Sequence, residues 1–150
     1  MSTISLGDMQ INGETEVFVL EDTLLYQKRL MTCLRTIGFK GKITIAGSVS
    51  EATNLIKTAR PGLILSDWNL PDGFGIDFLK LVRSEKRFDH VPMLMVTTMD
   101  DVSKIMEAIK SGADDYIVKP FYEIDVIEKL SFAFEKRLPK ENLITPSIKI

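Results

Sequence analysis

Cysteine and histidine are nearly absent from this chain of 150 residues: Cys33 and His90 each stand alone. A single cysteine excludes an intrachain disulfide and makes a cytoplasmic location the default. Neither sign of charge dominates, since 19 Lys and Arg face 21 Asp and Glu. The formal net charge of −2 gives no reason to expect nucleic-acid or membrane binding through bulk electrostatics. Long apolar runs are missing as well. None approaches the roughly 18 residues of a spanning helix, and the opening MSTISLGDMQINGETE has no basic-then-apolar signal pattern. There is no internal repeat and no low-complexity block.

What is present is one domain's worth of core. A chain of this length can bury about 70% of the surface its unfolded form exposes. Five β-rich runs are read at Glu16–Leu20, Lys42–Ala46, Gly62–Ser66, Met93–Val96 and Asp115–Val118. They alternate with segments of helical period at Leu24–Ile37, Val49–Ala59, Gly75–Arg87, Asp101–Lys110 and Tyr122–Arg137. The first, third and fourth runs are almost continuously apolar, as parallel strands covered on both faces must be. Leu30, Leu34 and Ile37 share a stripe of the first helix, and Val102, Ile105, Met106 and Ile109 share one of the fourth. Ser48 and Glu51 have capping-box spacing at the start of the second helix. The alternation predicts an α/β fold, with an open parallel sheet, right-handed crossovers and helices on both faces. Residues 1–15 read as a polar N-terminal extension, extended or mobile. Residues 16–138 read as the domain, and 139–150 as a tail broken by Pro139 and Pro146.

In such sheets ligands bind outside the carboxyl ends of the strands, so the chemistry is sought just after each one. Glu21 and Asp22 follow the first strand, Asp67 the third, Thr97 and Thr98 the fourth, and Lys119 and Pro120 the fifth. Three carboxylates repel one another more than one lysine can balance, so either their pKa values rise or a cation enters. Carboxylates, a backbone carbonyl and water suit Mg²⁺. Zinc would want His or Cys, and His90 and Cys33 lie elsewhere in the chain. A divalent ion beside a carboxylate, an ammonium and a hydroxyl suits attack by an Asp on phosphorus, giving an acyl phosphate. Asp67 ends a central strand and is the best nucleophile; Glu21 and Asp22 are better placed to hold metal.

The segments VFVLED, LILSDWNLPDG, MLMVTT and ADDYIVKPF occur in this order, with Thr97 30 residues and Lys119 52 residues after Asp67. Together they resemble the receiver domains of two-component response regulators, the chemotaxis regulators above all. The resemblance covers about residues 16 to 138 and implies a flavodoxin-like (βα)5 three-layer sandwich with sheet order 2-1-3-4-5. It implies that a sensor histidine kinase or phosphotransfer protein donates a phosphoryl group to Asp67. Asp22, Asp67 and the backbone carbonyl of Asn69 would be Mg²⁺ ligands, with Glu21 acting through water. Lys119 would contact the phosphoryl group, Thr97 and Tyr116 would form a switch pair, and the peptide before Pro120 would be cis. Output would be a protein target, a flagellar motor being one candidate, bound on the face of the fourth helix, fifth strand and fifth helix. Such a protein would act as a monomer without DNA. Three departures stand out. Glu21 is longer than the usual Asp, Thr98 replaces Ala or Gly and narrows access to the site, and Phe74 replaces an acidic residue.

Blander readings compete at each position. Asp67 alone is a polar strand end, Glu21 and Asp22 are acids favoured by the dipole of the next helix, and Thr97 is a helix-entry hydroxyl. Tyr116 alone is a rim tyrosine, Cys33 a packing residue and His90 a solvated loop residue. Only a shared edge lifts the site residues above these. An Asp-nucleophile phosphohydrolase would want a second carboxylate where this chain has Asn69, so an acceptor rather than an enzyme is expected. A nucleotide binder would need a Gly/Ser/Thr phosphate loop where Glu21 and Asp22 instead repel phosphate. A degenerate receiver would lack one of the key residues, and none is missing. A receiver taken from a longer regulator with an output domain is the remaining alternative.

Overall fold

Ile4 and Leu6 alternate with polar residues, as do Met9 and Ile11, and Gly7 with Asp8 between them makes a two-residue turn. The computed structural model, which describes residues 2–98 and 100–138, folds this stretch into an antiparallel hairpin of β1 (Thr3–Leu6) and β2 (Met9–Asn12). Gly7 takes a φ of 59°, which the tight turn requires. The expected polar extension is therefore partly core. Ile4, Leu6, Met9 and Ile11 are buried with Leu34, Phe39, Leu130 and Phe134. Their period of two was too thinly apolar to stand out. The tail at 139–150 lies outside the described residues.

The rest of the chain runs β3 (Val17–Leu20), α1 (Leu24–Ile37), β4 (Ile43–Ala46), α2 (Val49–Leu55) and β5 (Leu63–Ser66). A two-residue pair, β6 (Asn69–Leu70) and β7 (Gly73–Phe74), leads into α3 (Gly75–Arg83). Then come β8 (Met93–Thr97), α4 (Val102–Lys110), β9 (Asp115–Val118) and α5 (Glu123–Arg137). The parallel sheet has the order β4-β3-β5-β8-β9, which is the expected 2-1-3-4-5. Every residue of β3, β5 and β8 is buried. Val17, Val19, Leu65 and Val96 pack toward residues of α1 and α5; Phe18, Leu20, Ile64 and Met95 pack toward residues of α2, α3 and α4.

Two helices stop earlier than their periodicity predicts. After α2 the N–H groups of Lys57 and Thr58 bond to carbonyls three residues back, a tightened turn that precedes Arg60 and Pro61. After α3 the Ser84 hydroxyl donates to the Leu81 carbonyl at 2.6 Å, competing with helix continuation, and Lys86–Phe88 is a separate 3-10 turn. Ser48 caps α2 as expected, but the Glu51 carboxylate closes on the Gly47 N–H rather than on Ser48. The apolar stripe of α4 faces outward. Val102, Met106 and Ile109 are exposed, and Ala108 is the α4 residue buried against the sheet.

Candidate functional site

The residues just past the strands stay on the hydrogen-bond ladder, which is why they gather at one edge. Glu21 N–H donates to the Ala46 carbonyl, Asp67 N–H to the Leu20 carbonyl and Lys119 N–H to the Thr97 carbonyl, each at 2.9 Å. Parallel register sets Leu20 level with Ala46 and Ser66, and Thr97 level with Val118. The side chains that follow therefore converge.

Lys119 Nζ donates to Asp67 Oδ2 at 2.8 Å and also to Glu21 Oε1. All three residues are buried. Burial pulls the Lys119 ammonium toward deprotonation, but its hydrogen bonds to Asp67 and Glu21 and their charges outweigh this, and its pKa is raised. The second oxygen of Glu21 accepts the Thr23 N–H and hydroxyl, both at 3.0 Å. Asp67 Oδ1 accepts the Trp68 N–H at 2.6 Å. Asp22 is exposed at the mouth. Glu21, Asp22 and Asp67 each offer a carboxylate oxygen within 4.8 Å of the others, the one such group among the described residues. Three acids against one ammonium leave a negative, all-oxygen donor set. That chemistry fits a hard divalent cation such as Mg²⁺.

The loop after Asp67 is fastened in two places. Gly75 N–H donates to the Trp68 carbonyl at 2.7 Å. A Cβ on Gly75 would lie 1.8 Å from the Asp67 carbonyl oxygen, so only glycine lets α3 start there. At the tip of the β6–β7 pair, Asp72 accepts the N–H groups of Val49 at 2.8 Å and Ser50 at 2.9 Å, capping α2. Those bonds, Ser50's first, hold its carboxyl below the usual range. Asn69, which opens β6, is exposed.

Thr97 is buried at the end of β8, and Thr98 beside it is exposed. Tyr116 is half-buried, with Lys129 Nζ 4.9 Å from its ring centre. The Lys119–Pro120 peptide is cis. Cys33 is buried in α1, its thiol pushed up to about 11 by burial and then by Glu123. His90 is exposed, with Nδ1 3.2 Å from the Arg137 carbonyl. The direct engagement of Glu21 by Lys119 and Thr23, and the Asp72 cap, escaped the sequence reading. The first depends on registry between residues 98 apart, and the second on a contact 23 and 22 residues away.

Residues 17–131 match the family model of the response regulator receiver domain. The chain belongs to the receiver family. Chemotaxis protein CheY1 of Helicobacter pylori is 30% identical to this receiver over 115 residues, 77% of this chain and 93% of that protein. Chemotaxis protein CheY of Pseudomonas aeruginosa is 31% identical over 121 residues, 81% of this chain and 97% of that one. The solved structure of chemotaxis response regulator CheY4 of Vibrio cholerae is similar with a TM-score of 0.70 at 28% identity, covering 77% of this chain and 95% of that one. The receiver match begins at Val17, so the β1–β2 hairpin lies outside it. Among the described residues, no helix is long and apolar enough to cross a membrane.

Proposed function

We propose that this receiver is a stoichiometric phosphoacceptor, taking a phosphoryl group from a sensor histidine kinase or phosphotransfer protein onto Asp67. The observation that carries this reading is the buried Asp67 carboxylate, held by Lys119 beside Glu21 and Asp22. An oxygen of Asp67 bonds to phosphorus as the P–N bond of a phosphohistidine breaks, and the imidazole keeps the electron pair. Lys119, released from Asp67 Oδ2, and the Thr97 hydroxyl meet the charge on the phosphoryl oxygens. Asp22, Asp67 and the Asn69 carbonyl would hold Mg²⁺, with Glu21 acting through water. When bound, the ion supplies positive charge to the phosphoryl oxygens. Thr98 at the mouth narrows access.

Asn69 stands where a phosphohydrolase would want its acid, which favours an acceptor over a turnover enzyme. Output follows a change at Thr97 and Tyr116 that biases the face of α4, β9 and α5 toward a protein target. Val102, Met106, Ile109, Val118 and Tyr122 leave that face apolar and exposed, which supports a protein partner. The chemotaxis proteins among its relatives favour a role in chemotaxis, and we infer a flagellar-motor type of target reached by a cytoplasmic monomer. Incubation with acetyl phosphate, read by intact mass, is the test. One phosphate per chain with Mg²⁺ and none with a chelator is expected. No gain with Mg²⁺ present overturns the reading.

A further inference from the structure

Tyr26 is the third residue of α1, and its ring lies against the buried ammonium. Lys119 Nζ is 4.3 Å from the ring centre. The same ring also meets Phe121, with centres 6.0 Å apart and planes 44° apart. An ammonium has three N–H donors. Glu21 and Asp67 take two directions here, and the Tyr26 ring covers another. The choice of an aromatic group has a chemical consequence. A further carboxylate would trap the ammonium and cancel its charge. A ring attracts it through its quadrupole and keeps water off one side, while leaving the charge for anionic oxygens.

We propose that Tyr26 is a positioning residue whose ring holds the Lys119 ammonium over Glu21 and Asp67, where it meets an incoming phosphoryl group. The last clause rests on the phosphoacceptor reading; the hold on Lys119 does not. The ring also contacts Phe121, so it joins α1 to the segment that follows β9.

Two measurements on the full chain test this, in the wild type, Tyr26→Phe and Tyr26→Leu. One is competitive acetylation of the Lys119 amine by acetic anhydride, mapped by peptide mass. The other is the rate of phosphorylation by acetyl phosphate at saturating Mg²⁺. In Tyr26→Leu, labelling should rise and the rate should fall, each by about threefold to tenfold. Tyr26→Phe keeps the ring and should retain most of both, within about twofold. Tyr26→Met replaces Tyr26→Leu if that variant does not fold. Equal labelling in all three proteins overturns the proposal, as does a Tyr26→Phe loss as large as that of Tyr26→Leu. If the wild type takes up no phosphate, the phosphoacceptor reading fails by itself, and the labelling contrast alone decides the role of Tyr26.

Discussion

Lys119 and Asp67 are joined by a 2.8 Å bond between a buried ammonium and a buried carboxylate 52 residues apart in the chain. Glu21 shares the same ammonium. Removing Lys119 would leave two buried carboxylates without their cation. Lys119→Met is therefore expected to cost about 3 kcal/mol in metal-free buffer. Mg²⁺ should then restore more stability to the variant than it adds to the wild type, because the ion no longer competes with an ammonium. Urea unfolding with and without Mg²⁺ measures both increments, and equal increments would count against a shared cation site.

Asp72 ties the Asn69 loop to α2. Its carboxyl pKa lies below the usual 3.8 because it accepts the N–H groups of Ser50 and Val49. A depressed carboxyl pKa stabilises the fold above the unfolded value, and that contribution is lost as pH falls through the lower folded value. Protection of the Val49 and Ser50 amides, measured against their intrinsic exchange rates, should persist through the ordinary carboxyl range and fall only as pH drops through the lower folded value. Asp72→Ala should quicken both amides at neutral pH. Unchanged exchange in that variant would show that the cap does not hold the helix.

The hairpin contributes to the core. Leu6 is fully buried, while Ser5 beside it is exposed. Leu6→Ala should cost about 2–4 kcal/mol, and Ser5→Ala should stay within about 0.5 kcal/mol. Denaturant unfolding separates the two. A Leu6→Ala cost near zero would mean that β1 is not packed on α1 and α5 in solution.

Much of the sheet was legible because β3, β5 and β8 are almost continuously apolar and polar residues begin where the apolar runs end. That boundary located Glu21, Asp67 and, with Thr97, the edge itself. The hairpin hid because Ile4, Leu6, Met9 and Ile11 are single apolar residues among polar ones, and its burial comes from α1 and α5 rather than from its own composition. Periodicity showed an apolar stripe on α4 but not its direction. With Ala108 on the sheet side, Val102 and Met106 point outward. The Asp72 cap and the Glu21–Lys119 pair were not legible, since both are long-range contacts set by tertiary registry.

Cys33 offers a check on the α1 packing. Its thiol pKa rises from the ordinary 9.0 to about 11, first through burial and then through Glu123. A raised thiol pKa contributes stability below the unfolded value that is lost as pH rises through the folded one. At pH 8 the folded thiol is therefore almost wholly protonated. Alkylation by iodoacetamide should be at least about a hundredfold slower in the native protein than in urea. Comparable rates would place the thiol in solvent.

The most direct test concerns Asp67 itself. Treatment with acetyl phosphate and Mg²⁺, followed by borohydride, reduces an aspartyl phosphate to homoserine, which peptide mapping then locates. The account predicts one homoserine, at position 67, and none in Asp67→Asn. A homoserine elsewhere, or none in the wild type, would contradict it.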